Sequence, residues 1–313
     1  MPSKEKLLIE RIRRAAMKQG TRLGQGIGDD CAVLPLAPGR EVLVTTDFSL
    51  EEVHFRREWH PPDSAGHRCL ARGLSDIAAM GGTPHAAFLS LALPRELPQV
   101  WVDKFVAGLL KLATQFSVVL AGGDTAQSPD RILADIVLIG SIPAGQAILR
   151  SGARPGDLLY VTGTLGASVA VLEQLRAGEK LRTKSHPKHF YPEPRVAVGQ
   201  FLSEQKLATA MIDISDGLST DLGHICQESG TGAVVYAESL PRLPGDDTLT
   251  LALHGGEEYE LLFTARPEQA VPKQIAGVPI TQIGEMTATR GMKLAKADGK
   301  MQVLRPGGWE HFG

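Results

Sequence analysis

The sequence predicts two α/β domains, and three observations support this prediction. The chain has 313 residues, which exceeds the usual size of one domain. Apolar, β-branched runs alternate with helical patterns along most of its length, as is typical of α/β folds. A polar stretch rich in small and kinked residues, 145–156, interrupts this alternation near the middle. We therefore predict domains at residues 1–148 and 149–313.

Composition excludes several classes of protein. The formal net charge is −2, so no basic field attracts nucleic acid or an anionic membrane. The three cysteines are widely spaced and form no C-x-x-C pair, which argues against a structural zinc site or a disulfide framework. No apolar run approaches the length needed to span a bilayer, and the first 20 residues lack the apolar core of a signal peptide. The sequence therefore favours a cytoplasmic protein.

The first half is predicted to begin with an amphipathic helix and to continue as alternating strands and helices. Asp63 and Ser64 can cap a helix, and the run Gly81-Gly82-Thr83-Pro84 is a typical helix stop. The predicted strands lie at 41–46, 86–93, 117–121 and 131–142, and the predicted helices within 1–20 and at 63–80 and 98–115.

The second half is predicted to follow the same alternation. Small residues at 163–166 join a strand to a helix, where exposed backbone N–H groups favour anions. The stretch 177–194 contains three prolines and is predicted to be a long loop. The predicted strands lie at 157–162, 208–212, 233–237, 259–263 and 280–283 before a C-terminal hairpin, and the predicted helices at 167–175, 195–205, 218–228 and 267–275.

Acidic residues beside glycine or strand ends recur along the chain. Taken alone, the segment Gly26-Ile27-Gly28-Asp29-Asp30 is more typical of a turn than of a binding loop, because Gly and Asp are common turn residues and short motifs have many false matches. The recurrence of such acidic segments along the chain favours a binding role, because adjacent carboxylates repel one another unless a cation lies between them. Comparable acidic groups occur at Asp47, Asp76, 122–124, 213–217 and 255–258.

These carboxylates indicate Mg²⁺ that carries phosphate. Hard oxygen ligands suit Mg²⁺ better than a soft metal. The sequence has no P-loop and no G-x-G-x-x-G turn, so a nucleotide would have to be held through metal ions. Asp76 is predicted near the end of a helix, where the helix dipole disfavours a carboxylate and a cation would offset the cost. The predicted metal ligands are Asp30, Asp47, Asp76, Asp124 and Asp213.

Five other side chains are candidates for phosphoryl-transfer chemistry, which needs mainly alignment and charge neutralisation. Arg150 can hold a terminal phosphate, although a surface role is as consistent with the sequence. Asp216 can position or deprotonate the acceptor or hold another metal, and Ser215 can contact phosphate. His54 is a candidate because of its acidic neighbours, and Trp309 can pack in a core or stack on a ligand ring.

A colinear series of motifs resembles the thiamine-monophosphate kinase family of the aminoimidazole ribonucleotide synthetase superfamily. The resemblance extends from about residue 20 to residue 312. The motifs that carry it are Gly26-Ile-Gly-Asp-Asp, Thr45-Thr-Asp47, Leu74-Ser-Asp-Ile-Ala-Ala-Met-Gly81, Gly122-Gly-Asp-Thr, Arg150-Ser-Gly-Ala-Arg-Pro-Gly-Asp157, Val161-Thr-Gly-Thr-Leu-Gly166, Ile212-Asp-Ile-Ser-Asp-Gly-Leu218, Asp221-Leu-Gly-His224, Gly255-Gly-Glu-Glu-Tyr-Glu-Leu261 and Trp309-Glu-His-Phe.

The resemblance implies ATP-dependent phosphorylation of thiamine monophosphate to thiamine diphosphate, with several Mg²⁺ ions and direct transfer. It also implies a homodimer whose N-terminal mixed sheets join into a β-barrel. The implied metal ligands are Asp30, Thr45, Thr46, Asp47, Asp76, Asp124, Asp213 and Asp216. The implied nucleotide contacts are Gly123, Arg150 and Ser215, and the implied contacts to the thiamine end are His54, Glu257 and Trp309.

The sequence departs from the family pattern at two places. Glu258 stands where the family commonly has Asp, and the segment 48–53 is more acidic than expected. The competing hypotheses are another ATP-dependent enzyme of the superfamily, a nucleotide-sensing module without catalysis and a metal-dependent phosphatase.

Overall fold

The computed structural model describes residues 11, 14, 15, 37–245 and 248–310. The segment Gly26–Asp30 and most of the predicted first helix lie outside the described residues. Across the part of the chain that is described, no helix is both long and apolar enough to cross a membrane. The chain divides into two units, Met1–Ile77 with Thr83–Gly145 and Ala78–Gly82 with Gln146–Gly313.

The first unit contains a four-stranded mixed sheet. The strand order is β1-β4-β2-β3, in which β2 and β3 are parallel and the other pairs are antiparallel. The crossover between the parallel strands is a helix, as parallel pairing requires. The strands are β1 (Arg40–Leu50), β2 (Thr83–Pro94), β3 (Val119–Ser128) and β4 (Leu133–Pro143), and the helices are α1 (Pro62–Ala79) and α2 (Gln99–Gln115).

The two faces of this sheet differ in burial. Alternate residues of β4, such as Ile136 and Leu138, are fully buried, as are Leu74 of α1 and Leu109 of α2. The opposite face carries exposed apolar side chains on β1, including Val44 at 65% exposure. A strand alternates its side chains between faces, so one apolar face of β1 is left open to solvent.

The second unit contains an eight-stranded mixed sheet. Its path is β12-β11-β7-β10-β5-β8-β6, with β9 paired to β10. The strands are β5 (Leu158–Thr162), β6 (Ala208–Asp213), β7 (Gly232–Tyr236), β8 (Leu261–Ala265), β9 (Gln274–Ile275), β10 (Val278–Thr287), β11 (Gly291–Ala295) and β12 (Met301–Leu304). The helices are α3 (Ala167–Arg176), α4 (Pro187–Phe190), α5 (Val196–Glu204), α6 (Leu218–Ser229) and α7 (Thr248–His254).

Helix α6 supplies much of the core of this unit. Its Leu222 and Ile225 are fully buried in one apolar cluster with Ile212 of β6 and Val235 of β7. The apolar residues at 218, 222 and 225 recur at helical spacing, which explains why the sequence predicts this helix correctly. This packing of α6 against β6 holds the first turn of the helix close to the end of the strand.

The segment Ala78–Gly82 belongs to the second unit although most of α1 belongs to the first. The N–H of Ile148 donates to the carbonyl of Met80 at 3.2 Å, and the Gln200 side chain donates to the carbonyl of Gly82 at 3.3 Å. A Cβ on Gly199 would lie 2.0 Å from the carbonyl oxygen of Ala78, so glycine is required there. Five residues of the N-terminal half are thus built into the second unit.

The predicted mixed sheet, the α/β class and the C-terminal hairpin are confirmed, whereas several local predictions are wrong. Residues 267–275 form turns and β9 in place of the predicted helix, and helix α7 was not predicted. Gly122–Asp124 and Asp47 lie inside strands and not in turns after them. Among the described residues, neither sheet closes into a barrel.

Candidate functional site

Two acidic residues of the first unit, Asp47 and Asp76, lie together where β1 meets α1. Thr45 and Asp47 project from the same face of β1 because they are two residues apart. The Thr45 hydroxyl donates a hydrogen bond to Oδ2 of Asp76, which lies near the end of α1. Burial and the neighbouring Asp76 charge raise the pKa of Asp47 to about 7, against the opposing charge of Arg72. A buried carboxyl with a raised pKa beside a second carboxylate is a group that a bound cation would stabilise in its charged form.

Thr46 and Asp124 lie on the other face of the same sheet. The Thr46 hydroxyl donates to Oδ1 of Asp135 at 2.8 Å. Strand pairing aligns Asp135 with Ser90 and Ser90 with Asp124, so Asp124 and Asp135 flank Ser90 on one face. The predicted metal ligands of the first unit are therefore divided between two faces, with Thr45, Asp47 and Asp76 on one and Thr46 and Asp124 on the other.

Gly123 and His54 both have local structural roles. Gly123 has φ of +145°, and a Cβ on it would lie 1.8 Å from the carbonyl oxygen of Leu89. Only glycine permits this approach of β3 to β2. Nδ1 of His54 accepts a hydrogen bond from the N–H of Leu50 at 3.0 Å, which assigns the ring proton of the neutral imidazole to Nε2. A nucleotide role for Gly123 and an acceptor role for His54 stay predictions.

The acidic residues of the second unit gather around the loop between β6 and α6. Asp213 ends β6 and is buried, and Asp216 follows in the loop. One ligand atom each from Asp216, Asp221 and His224 lies within 4.8 Å of the others. Burial, then the charges of Asp213 and Asp216, raise the pKa of Asp221 to about 8, although two backbone N–H groups at residues 216 and 217 donate to its Oδ2. Three carboxylates, those of Asp213, Asp216 and Asp221, are thus grouped at this loop.

The predicted acceptor contacts of the second unit adjoin the same loop. The N–H of Glu257 donates to the carbonyl of Ser215 at 2.7 Å, and the N–H of Trp309 donates to the carbonyl of Asp216 at 3.0 Å. The Trp309 side chain is 46% exposed, so it is not packed in a core. Four predicted site residues, Ser215, Asp216, Glu257 and Trp309, are thus brought together although 94 positions of sequence separate the first from the last.

Arg150 is not a member of this group. It begins a short 3-10 helix, and its carbonyl accepts a hydrogen bond at 2.8 Å from Ser229, the last residue of α6. Asp216 lies just before the first residue of α6. The backbone of Arg150 therefore lies at the opposite end of that helix from Asp216, and its side chain is exposed.

Sequence reasoning missed three residues of these acidic groups. Asp135 lies within an apolar run that predicts a buried strand, and its signal was the single charge in that run. Asp221 and His224 were noted only as part of a family motif. Their signal was the spacing of three residues on a predicted helix, which places both side chains on one face.

Two family models match the chain. The N-terminal domain of AIR synthase related protein matches residues 28–142, and the C-terminal domain of AIR synthase related protein matches residues 154–296. They cover the two halves of the chain in the expected order.

Relatives named thiamine-monophosphate kinase match over nearly the whole chain. The relative from Salmonella typhimurium is 39% identical, with 97% of this chain and 95% of the relative covered. The relative from Bacillus subtilis is 36% identical, with 92% of this chain and 93% of the relative covered.

Solved structures agree with these relatives. Thiamine-monophosphate kinase from Stenotrophomonas maltophilia has a TM-score of 0.82 at 35% identity, covering 94% of this chain and 96% of that one. The structure of AaThiL complexed with AMPPCP and TMP has a TM-score of 0.79 at 31% identity, covering 100% of both chains. The hydrogenase maturation protein HypE, at 20% identity and a TM-score of 0.81, shares the fold alone. On these matches, the chain belongs to the thiamine-monophosphate kinase family of AIR synthase related proteins.

Proposed function

We propose that this chain transfers the γ-phosphoryl group of ATP to the phosphate of thiamine monophosphate, giving thiamine diphosphate and ADP. The observation that carries the proposal is the AaThiL structure, solved with the ATP analogue AMPPCP and with TMP, which this chain matches along its full length. The charge of the two acidic groups is consistent with it, because phosphoryl transfer between two anions requires cations to neutralise both.

The residues of both acidic groups fit Mg²⁺. Apart from the His224 imidazole, their donors are carboxylate and hydroxyl oxygens, and burial together with the neighbouring Asp76 charge raises the pKa of Asp47. When bound, Mg²⁺ would neutralise the phosphate oxygens. The residues proposed to hold the ions are Asp30, Thr45, Thr46, Asp47, Asp76, Asp124, Asp213 and Asp216.

Other residues act on the nucleotide and on the acceptor. Arg150, Ser215 and Gly123 contact the nucleotide, with Arg150 supplying a charged fork to phosphate. Asp216 aligns the acceptor phosphate, which needs no strong base because a phosphate monoester is largely ionised at neutral pH. At the thiamine end, the Glu257 carboxylate and the exposed Trp309 ring suit a positively charged thiazolium, and His54 adds a further contact.

A homodimer is part of this proposal. The exposed face of β1 carries Val42, Val44 and Phe48 at 52%, 65% and 56% exposure. Exposed apolar side chains grouped on one sheet face are typical of an interface. We infer that two copies of the four-stranded sheet bury these faces against each other and close a barrel. The domain boundary at residues 148 and 149 and the cytoplasmic location stay predictions from the sequence.

One assay separates the proposed reaction from its alternatives. ADP release from ATP and Mg²⁺ is measured with thiamine monophosphate, with free thiamine and without acceptor, while thiamine diphosphate is followed by chromatography. Thiamine diphosphate that forms in step with ADP, only with thiamine monophosphate, supports the kinase. ADP without thiamine diphosphate would instead indicate a phosphatase or another superfamily reaction, and no ADP under any condition would indicate a sensing module.

A further inference from the structure

Three chain segments meet at the start of α6, and each carries one of the proposed site residues. The loop before α6 carries Asp216, and the irregular segment 255–260 between α7 and β8 carries Glu257. The C-terminal segment after β12 carries Trp309. Backbone hydrogen bonds join the second and third segments to the first, as described above. The positions of the metal and acceptor contacts in this unit therefore depend on how these segments are joined.

Ser219 lies at the centre of the junction. Its side chain is fully buried, and its hydroxyl lies 2.8 Å from Nδ1 of His254, the last residue of α7. The same hydroxyl oxygen accepts a hydrogen bond from the N–H of Gly307 at 3.2 Å. Burial lowers the pKa of His254, which favours the neutral imidazole, and in the Nε2–H tautomer Nδ1 accepts a hydrogen bond from the Ser219 hydroxyl. One hydroxyl thus links α6, α7 and the C-terminal segment.

Thr220 makes the neighbouring link. Its Oγ1 accepts a hydrogen bond from the N–H of Gly308 at 3.1 Å. A Cβ on Gly308 would lie 2.0 Å from the carbonyl oxygen of Asp216 and 2.7 Å from Thr220 Oγ1. The backbone of the C-terminal segment is therefore packed directly on the backbone of the loop that bears Asp216, and a larger residue at 308 would separate them.

We propose that Ser219, Thr220 and His254 are positioning residues that hold Trp309 beside Asp216 and thereby set the affinity for the acceptor. They act through the backbone of 307–309 and do not contact the acceptor. The N–H of Trp309 donates to the carbonyl of Asp216 at 3.0 Å, so the residue that follows Gly308 is joined to the same loop. Ordering the segment before binding removes an entropic cost that the acceptor would otherwise bear. This inference rests on the proposed function, because it assumes that Trp309 contacts thiamine monophosphate.

Thr220 offers a matched pair of variants for the kinetic test. Thr220→Val removes the hydroxyl at nearly constant volume, and Thr220→Ser keeps it. Loss of one hydrogen bond of this kind predicts an increase of about 5-fold in KM for thiamine monophosphate in Thr220→Val. We expect kcat and KM for ATP to change less than about 2-fold, and Thr220→Ser to behave as wild type. Trp309→Ala, with an expected increase of about 10-fold, sets the upper limit.

A second measurement follows the position of Trp309 without relying on activity. The chain has three tryptophans, and replacement of Trp59 and Trp101 by Phe leaves Trp309 as the sole emitter. In this background, acrylamide quenching of Trp309 should increase about 2-fold in Thr220→Val and in Gly308→Ala, and should not change in Thr220→Ser. Thermal unfolding of each variant verifies that it is folded.

The two readouts separate the inference from the proposed function. If wild-type protein forms no thiamine diphosphate, the proposed function fails, and the quenching experiment still tests whether Thr220 holds the segment. Equal quenching in Thr220→Val and Thr220→Ser would overturn the link. An unchanged KM for the acceptor, or an equal increase of KM for both substrates, would overturn the role in acceptor affinity.

Discussion

At the scale of single residues, the fold maintains an arrangement that is unfavourable without a cation. Asp47 is partly buried beside Asp76, and only part of their repulsion is offset by Arg72. Groups kept in an unfavourable environment are characteristic of functional sites, where stability is given up for binding. The same property yields a prediction about stability as well as activity.

We expect Asp47→Asn to lose activity but to gain stability in the absence of metal. The unfolded chain ionises Asp47 above pH 3.8, whereas the folded chain retains the proton up to about pH 7. Stability contributed by this group therefore falls as pH rises from about 4 to about 7, and the deficit persists above pH 7. Asn removes the deficit, so metal-free Asp47→Asn should be more stable than wild type at pH 8 by on the order of 2 kcal/mol and equal to it near pH 4.

Urea unfolding in EDTA at both pH values measures this difference. Turnover should fall by at least about 100-fold, since the proposed metal would lose a charged ligand. Asp130→Asn is a suitable control because the Asp130 side chain is 76% exposed in the same unit. Full activity in Asp47→Asn, or lower stability than wild type at pH 8, would contradict the assignment.

The sequence suggested candidate site residues more readily than it suggested how their side chains are arranged on the sheet. Glycine and strand context led to the choice of Asp47, Asp124 and Asp213, and a place near a predicted helix end led to the choice of Asp76; their roles as metal ligands stay predictions. The predicted strand ended at Thr46, so the sequence did not place Asp47 on the strand. Because β1 continues to Leu50, Thr46 and Asp47 project from opposite faces of it. The sequence also offered no reason to choose Asp135, because its partner Thr46 is 89 positions away and the pairing depends on the register of β1 with β4.

At the scale of elements, one buried carboxylate joins several parts of the second unit. Glu260 precedes β8, and its two oxygens accept hydrogen bonds from Arg195, each at 2.7 Å. Thr162 of β5 donates to it at 2.6 Å, and Lys188 of α4 donates at 3.0 Å. A Cβ on Gly163 would lie 2.0 Å from Oε1 of Glu260, so the turn after β5 also depends on this site. The bidentate hydrogen bonds from Arg195, with those from Thr162 and Lys188, compensate the Glu260 charge, which would otherwise be costly to bury.

Glu260→Gln should therefore destabilise the protein strongly. Removing one member of a buried ion pair leaves the other charges uncompensated, which predicts a loss of about 3 kcal/mol at pH 7. The Arg195 hydrogen bonds and charge overcome burial and lower the pKa of Glu260. Its contribution is thus present above the unfolded pKa of 4.5 and is lost as pH falls through the lower folded value.

Urea unfolding of wild type and variant at pH 7 and pH 3.5 tests this pH dependence. Glu193→Gln is the matched control, because Glu193 also faces Arg195 but at 3.9 Å with 73% of its side chain exposed. Its loss should be below about 0.5 kcal/mol. Similar losses in the two variants would show that the network around Glu260 contributes no more than a surface pair.

The elements that the sequence failed to predict have identifiable causes. Residues 248–254 read Thr-Leu-Thr-Leu-Ala-Leu-His, an alternation without helical period, and the helix is stabilised by burial of Ala252 and Leu253. Residues 267–275 include Pro272 in the interior of the predicted helix, where proline lacks an N–H and clashes with the preceding turn. Long periodic segments such as α1, α2 and α6 were predicted to within about two residues.

At the scale of the whole molecule, the apolar face of β1 predicts self-association. Val44→Asp places a charge on the inferred interface, and we expect it to convert a dimer into a monomer. Light scattering after size-exclusion chromatography should give twice 33.5 kDa for wild type and 33.5 kDa for the variant. Val303→Asp is the matched control, since Val303 of β12 is likewise 65% exposed but lies on the second unit.

The two outcomes for these variants are distinct. Dissociation of Val44→Asp with an intact Val303→Asp dimer supports the sheet face as the interface. A wild-type monomer at micromolar concentration, or a Val44→Asp dimer of unchanged affinity, would argue against it.

The five residues of the N-terminal half that complete the second unit constrain how this protein can diverge. Exchange of halves between two homologues at residue 148 would combine Ala78–Gly82 from one parent with Gly199 and Gln200 from the other. At Gly199 the backbone lies directly on the carbonyl of Ala78, so compatibility depends on the path of the backbone as well as on side chains such as Gln200. Gene fusion or recombination at the apparent midpoint would therefore separate parts that must be inherited together.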